Sequence, residues 1–179
     1  MLFIVMTVVA IYFGIGVVRH QREQEAIPKI SAAGGTFAYG RSYFYPFQVY
    51  FVAFEGRKFT DARLHEVMPQ LQDLSGLTFM QFIRTGITDS GLSDLCKLKQ
   101  LETLHLWDNK ITDAGLPQLK QLTSLTELEL RGTLLSNNGL ANLNAMTGLR
   151  KLTLSVNPSP ISDLTQMGED LLGGCPWFS

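Results

Sequence analysis

The chain has 179 residues, a formal net charge of −1 and 45% apolar side chains. That length holds a single domain with enough chain for a real core. The near-zero charge gives no electrostatic footprint for nucleic acid. Two cysteines, Cys96 and Cys175, do not make a disulfide framework and are expected as free thiols.

The first eighteen residues, MLFIVMTVVAIYFGIGVV, contain no charged side chain. At about 1.5 Å per residue, seventeen of them in a helix reach roughly 26 Å, a little short of the ~30 Å hydrocarbon core. Residues 1–18 therefore read as a marginal transmembrane anchor or an uncleaved signal. A cleaved signal peptide would want a basic start and a small-x-small site just after the apolar run. Here the run opens without Lys or Arg and ends in Val17-Val18-Arg19-His20, and the nearest small cluster is Ser31-Ala32-Ala33. The missing basic start is what a Met1 internal to a longer reading frame would leave. Arg19, Arg22 and Lys29 follow the span, so the positive-inside rule puts the rest of the chain on the cytoplasmic side of a single-pass membrane protein.

Residues 19–48 join this anchor to the remainder of the chain. RHQREQEAIPKISAAGG is charged and helix-leaning up to Pro28, Gly34-Gly35 ends it, and Thr36 to Tyr39 fit a first strand. The aromatic run Tyr43, Phe44, Tyr45, Phe47 and Tyr50 is placed to help cover an open core end, with an aromatic binding surface as the alternative.

From there the chain repeats itself. Leucine-led segments start at Leu77, Leu101, Leu125 and Leu149, each 24 residues after the last. LETLHLWDNKITDAGLPQLKQLTS and LTELELRGTLLSNNGLANLNAMTG share the spacing L-x-x-L-x-L-x-x-[N/T]-x-[I/L], then a polar pair, a glycine and leucines three apart. LTFMQFIRTGITDSGLSDLCKLKQ keeps the frame with Met80 and Phe82. Leu101, Leu104 and Leu106 begin a short strand, Asn109 serves the turn, and Ile111 points back inward. Thr112 or Asp113 is placed to cap a short helix carrying Leu116, Leu119 and Leu122. One such unit cannot bury both apolar rows, but stacked units share a continuous core. Val49, Val52, Phe54, Arg57 and Phe59 form an earlier, degenerate copy whose longer helix contains Pro69, a residue expected to bend or interrupt it. A fifth copy opens at Leu149 and loses its frame at Pro158 and Pro160. The fold class is thus α/β: a leucine-rich-repeat solenoid, a short curved parallel sheet with helices on its convex side, preceded by a membrane helix. About five repeats occupy 49–172, with a tail at 173–179, and a solenoid of this kind needs an atypical N-terminal cap, here residues 19–48.

The repeats resemble those of bacterial leucine-rich-repeat proteins with I-T-D-x-G-L units, on Ile87-Thr88-Asp89-Ser90-Gly91-Leu92 and Ile111 to Leu116. Some of that family carry a membrane helix, an R-x-Q-R-E-Q-x-A-like stretch and a Gly-Gly before the first strand, an arrangement similar to Arg19–Ala26 and Gly34-Gly35. The resemblance implies membrane-tethered protein recognition without catalytic residues. The repeat signature also resembles that of F-box substrate adaptors, but no F-box-like segment precedes it. LLGGCPWFS does not read as a capping repeat, so either the last repeat's core is partly open or the chain continues.

No enzymatic constellation is visible. His65-Glu66 invites the H-E-x-x-H reading, but Pro69 stands where the second histidine belongs. There is no G-x-S-x-G, no P-loop and no cysteine pair at zinc spacing. Asp89, Asp113 and Asn137 recur once per repeat and read as structural. Cys96 falls on the helical side of its repeat, where burial is not required. No cofactor or metal is expected.

What remains is binding. Side chains alternate along a strand, so the residues flanking the strand leucines face out of the concave sheet in three rows. These are Phe51, Phe79, Thr103, Glu127 and Lys151; Ala53, Gln81, His105, Glu129 and Thr153; and Glu55, Ile83, Trp107, Arg131 and Ser155. Five strands about 4.8 Å apart make a patch roughly 20–25 Å across, suited to a peptide or small domain. An exposed Trp107 between Ile83 and Arg131 has the composition of an interface hot spot; the alternative is that it lies flat on its neighbours, stacked with Arg131, and contacts nothing else. The expected site is Phe79, Gln81, Ile83, Arg84, His105, Trp107, Asp108, Glu129 and Arg131. Two classes of function are open: a membrane-tethered module binding protein or peptide on the concave face, or a structural repeat protein, or fragment of a longer one, that self-associates through its C-terminal edge.

Overall fold

The computed structural model describes residues 2–40 and 48–155, with side chains from residue 17 onward. Tyr43, Phe44, Tyr45 and Phe47 lie outside it, as do Cys175, the Pro158–Pro160 break and the tail at 173–179. Helix α1 (Leu2–Ala32) precedes β1 (Gly35–Gly40) and β2 (Gln48–Glu55). Then strand and helix alternate: α2 (Asp61–Asp73), β3 (Phe79–Ile83), α3 (Asp89–Leu95), β4 (Thr103–Trp107), α4 (Leu116–Leu119), β5 (Glu127–Arg131), α5 (Asn137–Leu140) with a 3₁₀ turn at Ala141–Ala145, and β6 (Lys151–Ser155). The six strands form one sheet in chain order, β1 antiparallel to β2 and every later pair parallel.

Pairing falls on the repeat frame. Phe51 pairs with Phe79, Phe79 with Thr103, Thr103 with Glu127 and Glu127 with Lys151. Along β3 and β4 burial alternates residue by residue, with Met80, Phe82, Leu104 and Leu106 wholly buried. Leu77, Leu101, Leu125 and Leu149 are buried too, but they precede their strands rather than open them. The first repeats fill the core with rings, Phe54 stacked on Phe59 at 3.9 Å and on Phe82 at 5.7 Å. Later repeats place Leu106 and Leu130 where Phe54 and Phe82 stand, and Ile111 where Phe59 does.

The helices shorten along the stack, from 13 residues in α2 to seven in α3 and four in α4 and α5. Leu122 is buried beyond the end of α4, on the turn after it. Pro69 does not interrupt α2, which runs on to Asp73. Cys96, whose position did not require burial, is a buried free thiol, with its sulfur 3.1 Å from the Gln118 carbonyl. There it fills space between consecutive helical segments as a small apolar group.

The turns are tied by two ladders. Asp61 accepts from the Thr88 amide at 2.9 Å and its hydroxyl at 2.6 Å, and Asp89 does the same for Thr112. Asp113 likewise holds the amide and hydroxyl of Ser136. The division of labour is clear: threonine caps its own turn, as Thr88 does for the Ser90 amide in α3, while aspartate reaches one repeat forward. This explains the glycine three residues after each of Thr88, Thr112 and Ser136. A Cβ at Gly91, Gly115 or Gly139 would run into the carboxylate from the repeat before. Asn109 forms the second ladder, accepting from the Thr85 amide at 3.0 Å and donating to the carbonyls of Phe82 and Trp107.

Helix α1 is continuous through Pro28, and its C-terminal part packs on α2. Ala26 and Ile30 join the core, and the buried Glu23 carboxylate accepts from the Ser75 hydroxyl at 2.9 Å. Gly34 ends the helix at φ +93°, a conformation that favours glycine. Gly35 lets β1 pass where a Cβ would meet Ile30. Among the described residues no helix is long and apolar enough to cross a membrane. The expected anchor falls on side chains 1–16, outside those described.

Candidate binding face

On the open face of the sheet, the rows bring unlike residues together. Phe51 meets Phe79 edge-on with centroids 4.6 Å apart, and Phe79 meets His105 the same way at 4.7 Å. The His105 ring stacks on Trp107 at 5.4 Å and 11°. The Arg131 guanidinium lies over the Trp107 ring, 5.0 Å from its centroid, a favourable seat for a cation. One stripe of rings thus runs diagonally across four strands to a cation.

The expected hot spot is engaged with its own neighbours, including the Arg131 stack anticipated as the alternative. Trp107 is half-buried rather than exposed, and its indole N–H donates to Glu129 Oε2 at 2.9 Å. Glu129 itself is buried, with Arg131 Nε 3.4 Å from the same oxygen. It does not face out as an open ligand-binding residue, because its neighbours fold over it. Burial of a carboxylate is tolerated where such donors surround it.

His105 sits among carboxylates. Nδ1 is 3.9 Å from Glu129 Oε2 and Nε2 is 3.8 Å from Glu127 Oε1, both too long for hydrogen bonds. Both ring nitrogens are buried without a hydrogen-bond partner. Burial lowers the imidazole pKa below its ordinary value, against the opposing pull of Glu129 and Glu127. Lys151 closes the group, its ammonium 2.5 Å from Glu127 Oε1 and 3.9 Å from Glu129 Oε1.

The other expected site residues lie on the margin. Gln81 and Ile83 occupy the rows beside His105 and Trp107. Arg84 and Asp108 stand at the strand ends with φ of +50° and +53°, a left-handed backbone that costs a non-glycine residue about 1–2 kcal/mol. Glycine fills the equivalent position at Gly56 and Gly132. Arg84 reaches back to Glu55 at 2.9 Å and so stays outside the ring stripe.

Sequence reasoning passed over Phe51, Glu127 and Lys151 as site residues. The signal for Glu127 was present: it lies two residues before Glu129, hence on the same face, and one strand from His105. No metal-binding group was expected, yet His105, Glu127 and Glu129 bring one ligand atom each within 4.8 Å of one another.

No family model and no curated protein sequence matches the chain. Several solved structures are similar to it. Internalin C2 from Listeria monocytogenes is 29% identical over 48% of this chain and 35% of its own, with a TM-score of 0.40. An internalin (inlF) from the same organism is 20% identical over 48% of this chain and 36% of its own, at 0.32. The chain spans about a third of the length of these internalins. Actin-binding site 2 of leiomodin-1 is 18% identical over 66% of this chain and 78% of its own, at 0.46.

Proposed function

We propose that this chain is a non-enzymatic recognition module that binds a protein or peptide on the concave sheet face. The observation that supports it best is the stripe from Phe51 through Phe79, His105 and Trp107 to Arg131. These positions are free to vary within the repeat frame, and they gather rings and a guanidinium, the groups that anchor interfaces. Packing of the stripe on itself fixes its rotamers before a partner arrives, which lowers the ordering cost of binding. Residues 1–18 tether the module to a membrane, and Arg19, Arg22 and Lys29 favour its cytoplasmic side.

Crosslinking and pull-down from native membranes, wild type against Trp107→Ala/Arg131→Ala, tests this. A heterologous partner captured by wild type and lost from a variant of unchanged thermal stability is the expected result. Equal recovery by both, or crosslinks to other copies of the chain alone, would overturn it.

A further inference from the structure

The geometry points to a binding site for a first-row divalent cation of the zinc type, formed by His105, Glu127 and Glu129 on the open sheet face. It shares His105 with the ring stripe, but the observations behind it do not rest on partner recognition. The first support is His105. Its side chain is 13% exposed, and both ring nitrogens are buried with no hydrogen bond, a rare and costly state for an imidazole. A bound cation would give one of them the partner it lacks.

The second support is distance. One ligand atom from each residue already lies within 4.8 Å of the other two, and Nε2 is 3.8 Å from Glu127 Oε1. A tetrahedral ion with bonds of ~2.0–2.2 Å holds its ligand atoms about 3.3 Å apart. Closing that gap calls on the rotatable side chains of Glu127 and Glu129.

The third support is charge. The Lys151 ammonium now bridges the two carboxylates, 2.5 Å from Glu127 Oε1 and 3.9 Å from Glu129 Oε1. A dication takes the same place with twice the charge, and the Lys151 side chain, 60% exposed, moves out into water. Glu129 Oε2 is already held by the Trp107 indole N–H at 2.9 Å, so Oε1 is the oxygen left to ligate. Such outer hydrogen bonds orient metal-binding carboxylates. One imidazole and two carboxylates suit a borderline ion, whereas calcium demands six or more oxygens and magnesium a rigid octahedron.

Calorimetric titration of the full chain with zinc chloride is expected to show one ion per chain, and cobalt(II) to give the visible absorption of a four-coordinate site. His105→Ala and Glu127→Ala should each weaken binding about tenfold or more, and Trp107→Phe should weaken it by about tenfold through the lost indole N–H. Lys151→Met removes the competing ammonium and should tighten binding severalfold, a gain that misfolding cannot mimic. Absence of saturable binding, or unchanged affinity in His105→Ala and Glu127→Ala, would overturn the site. Unchanged or weaker binding in Lys151→Met would overturn the placement of the ion between the carboxylates.

Discussion

On the turn side of the stack, Asp61, Asp89 and Asp113 make the same two bonds to Thr88, Thr112 and Ser136, and the same glycine makes room for each. On the open face of the sheet, the three rows hold fifteen positions, and only Phe51 and Phe79 share a residue type with their row neighbour. Both regions are polar or mixed, and both belong to the same repeats. Their difference is one of obligation. A backbone turn repeated at fixed spacing presents the same unpaired amides each time, so the same side chains must meet them. The open sheet face has no such debt, because its amides are paired strand to strand. Repetition therefore marks what the solenoid needs for itself, and variation marks where a partner can be met.

The largest effect should come from breaking a turn contact that ties one repeat to the next. Asn109→Ala leaves the Thr85 amide and the Phe82 carbonyl without their partner in a site where both Thr85 and Phe82 are buried. The expected loss is about 2–3 kcal/mol, read from the urea midpoint. If the variant unfolds at the wild-type midpoint, the ladder is ornamental and the contrast between the two surfaces fails.

A smaller effect sharpens the same contrast. Gly139→Ala should destabilise by about 1–2 kcal/mol because its methyl meets the Asp113 carboxylate, although alanine is the better helix former. Asp113→Ala alone loses the bonds to Ser136. In the double variant the obstruction is gone, so the two losses should fall short of additivity by about 1 kcal/mol. Additive losses would mean that the glycine serves some end other than room for the aspartate.

The same distinction governs how much was legible in the chain. The 24-residue frame placed Leu104, Leu106 and Ile111 in the core and the first two face rows in register, because a repeated unit can bury its leucines in one way only. The partner of Asp89 was not legible, since a T-D pair at a helix start is as good a cap as a bridge; only Gly115, in the next repeat, distinguishes them. Pro69 misled because a helix interior tolerates proline when packing against α1 and α3 holds it. Glu129 misled more deeply. Alternation says that a residue points outward, and it cannot say that Trp107 and Arg131 will close over it. Contacts between different repeats on a face that does not repeat are invisible to a periodic frame.

The smallest effect concerns an exception on the helical side. Asp94 occupies the frame position that Gln118 and Asn142 hold in the next repeats, so it is polar, buried and not repeated in kind. It bonds Lys97 at 2.6 Å and reaches back to His65 at 3.0 Å, joining α3 to α2. Burial pushes its carboxyl pKa up, but the hydrogen bonds to Lys97 and His65 and their charges more than offset this and hold it below its ordinary 3.8. A carboxylate with a lowered folded-state pKa contributes stability fully above its unfolded value and loses it as pH falls through the folded one. Wild type should therefore exceed Asp94→Asn in urea midpoint above pH 3.8, and the gap should close as the pH drops below that value. It should also narrow with added salt, since the His65 and Lys97 side chains are half or more exposed and screened by solvent. A gap that persists unchanged in acid would mean that Asp94 acts through shape rather than charge. The bridge from α3 to α2 would then be steric, and the division between repeating and varying surfaces would be sharper than these bonds suggest.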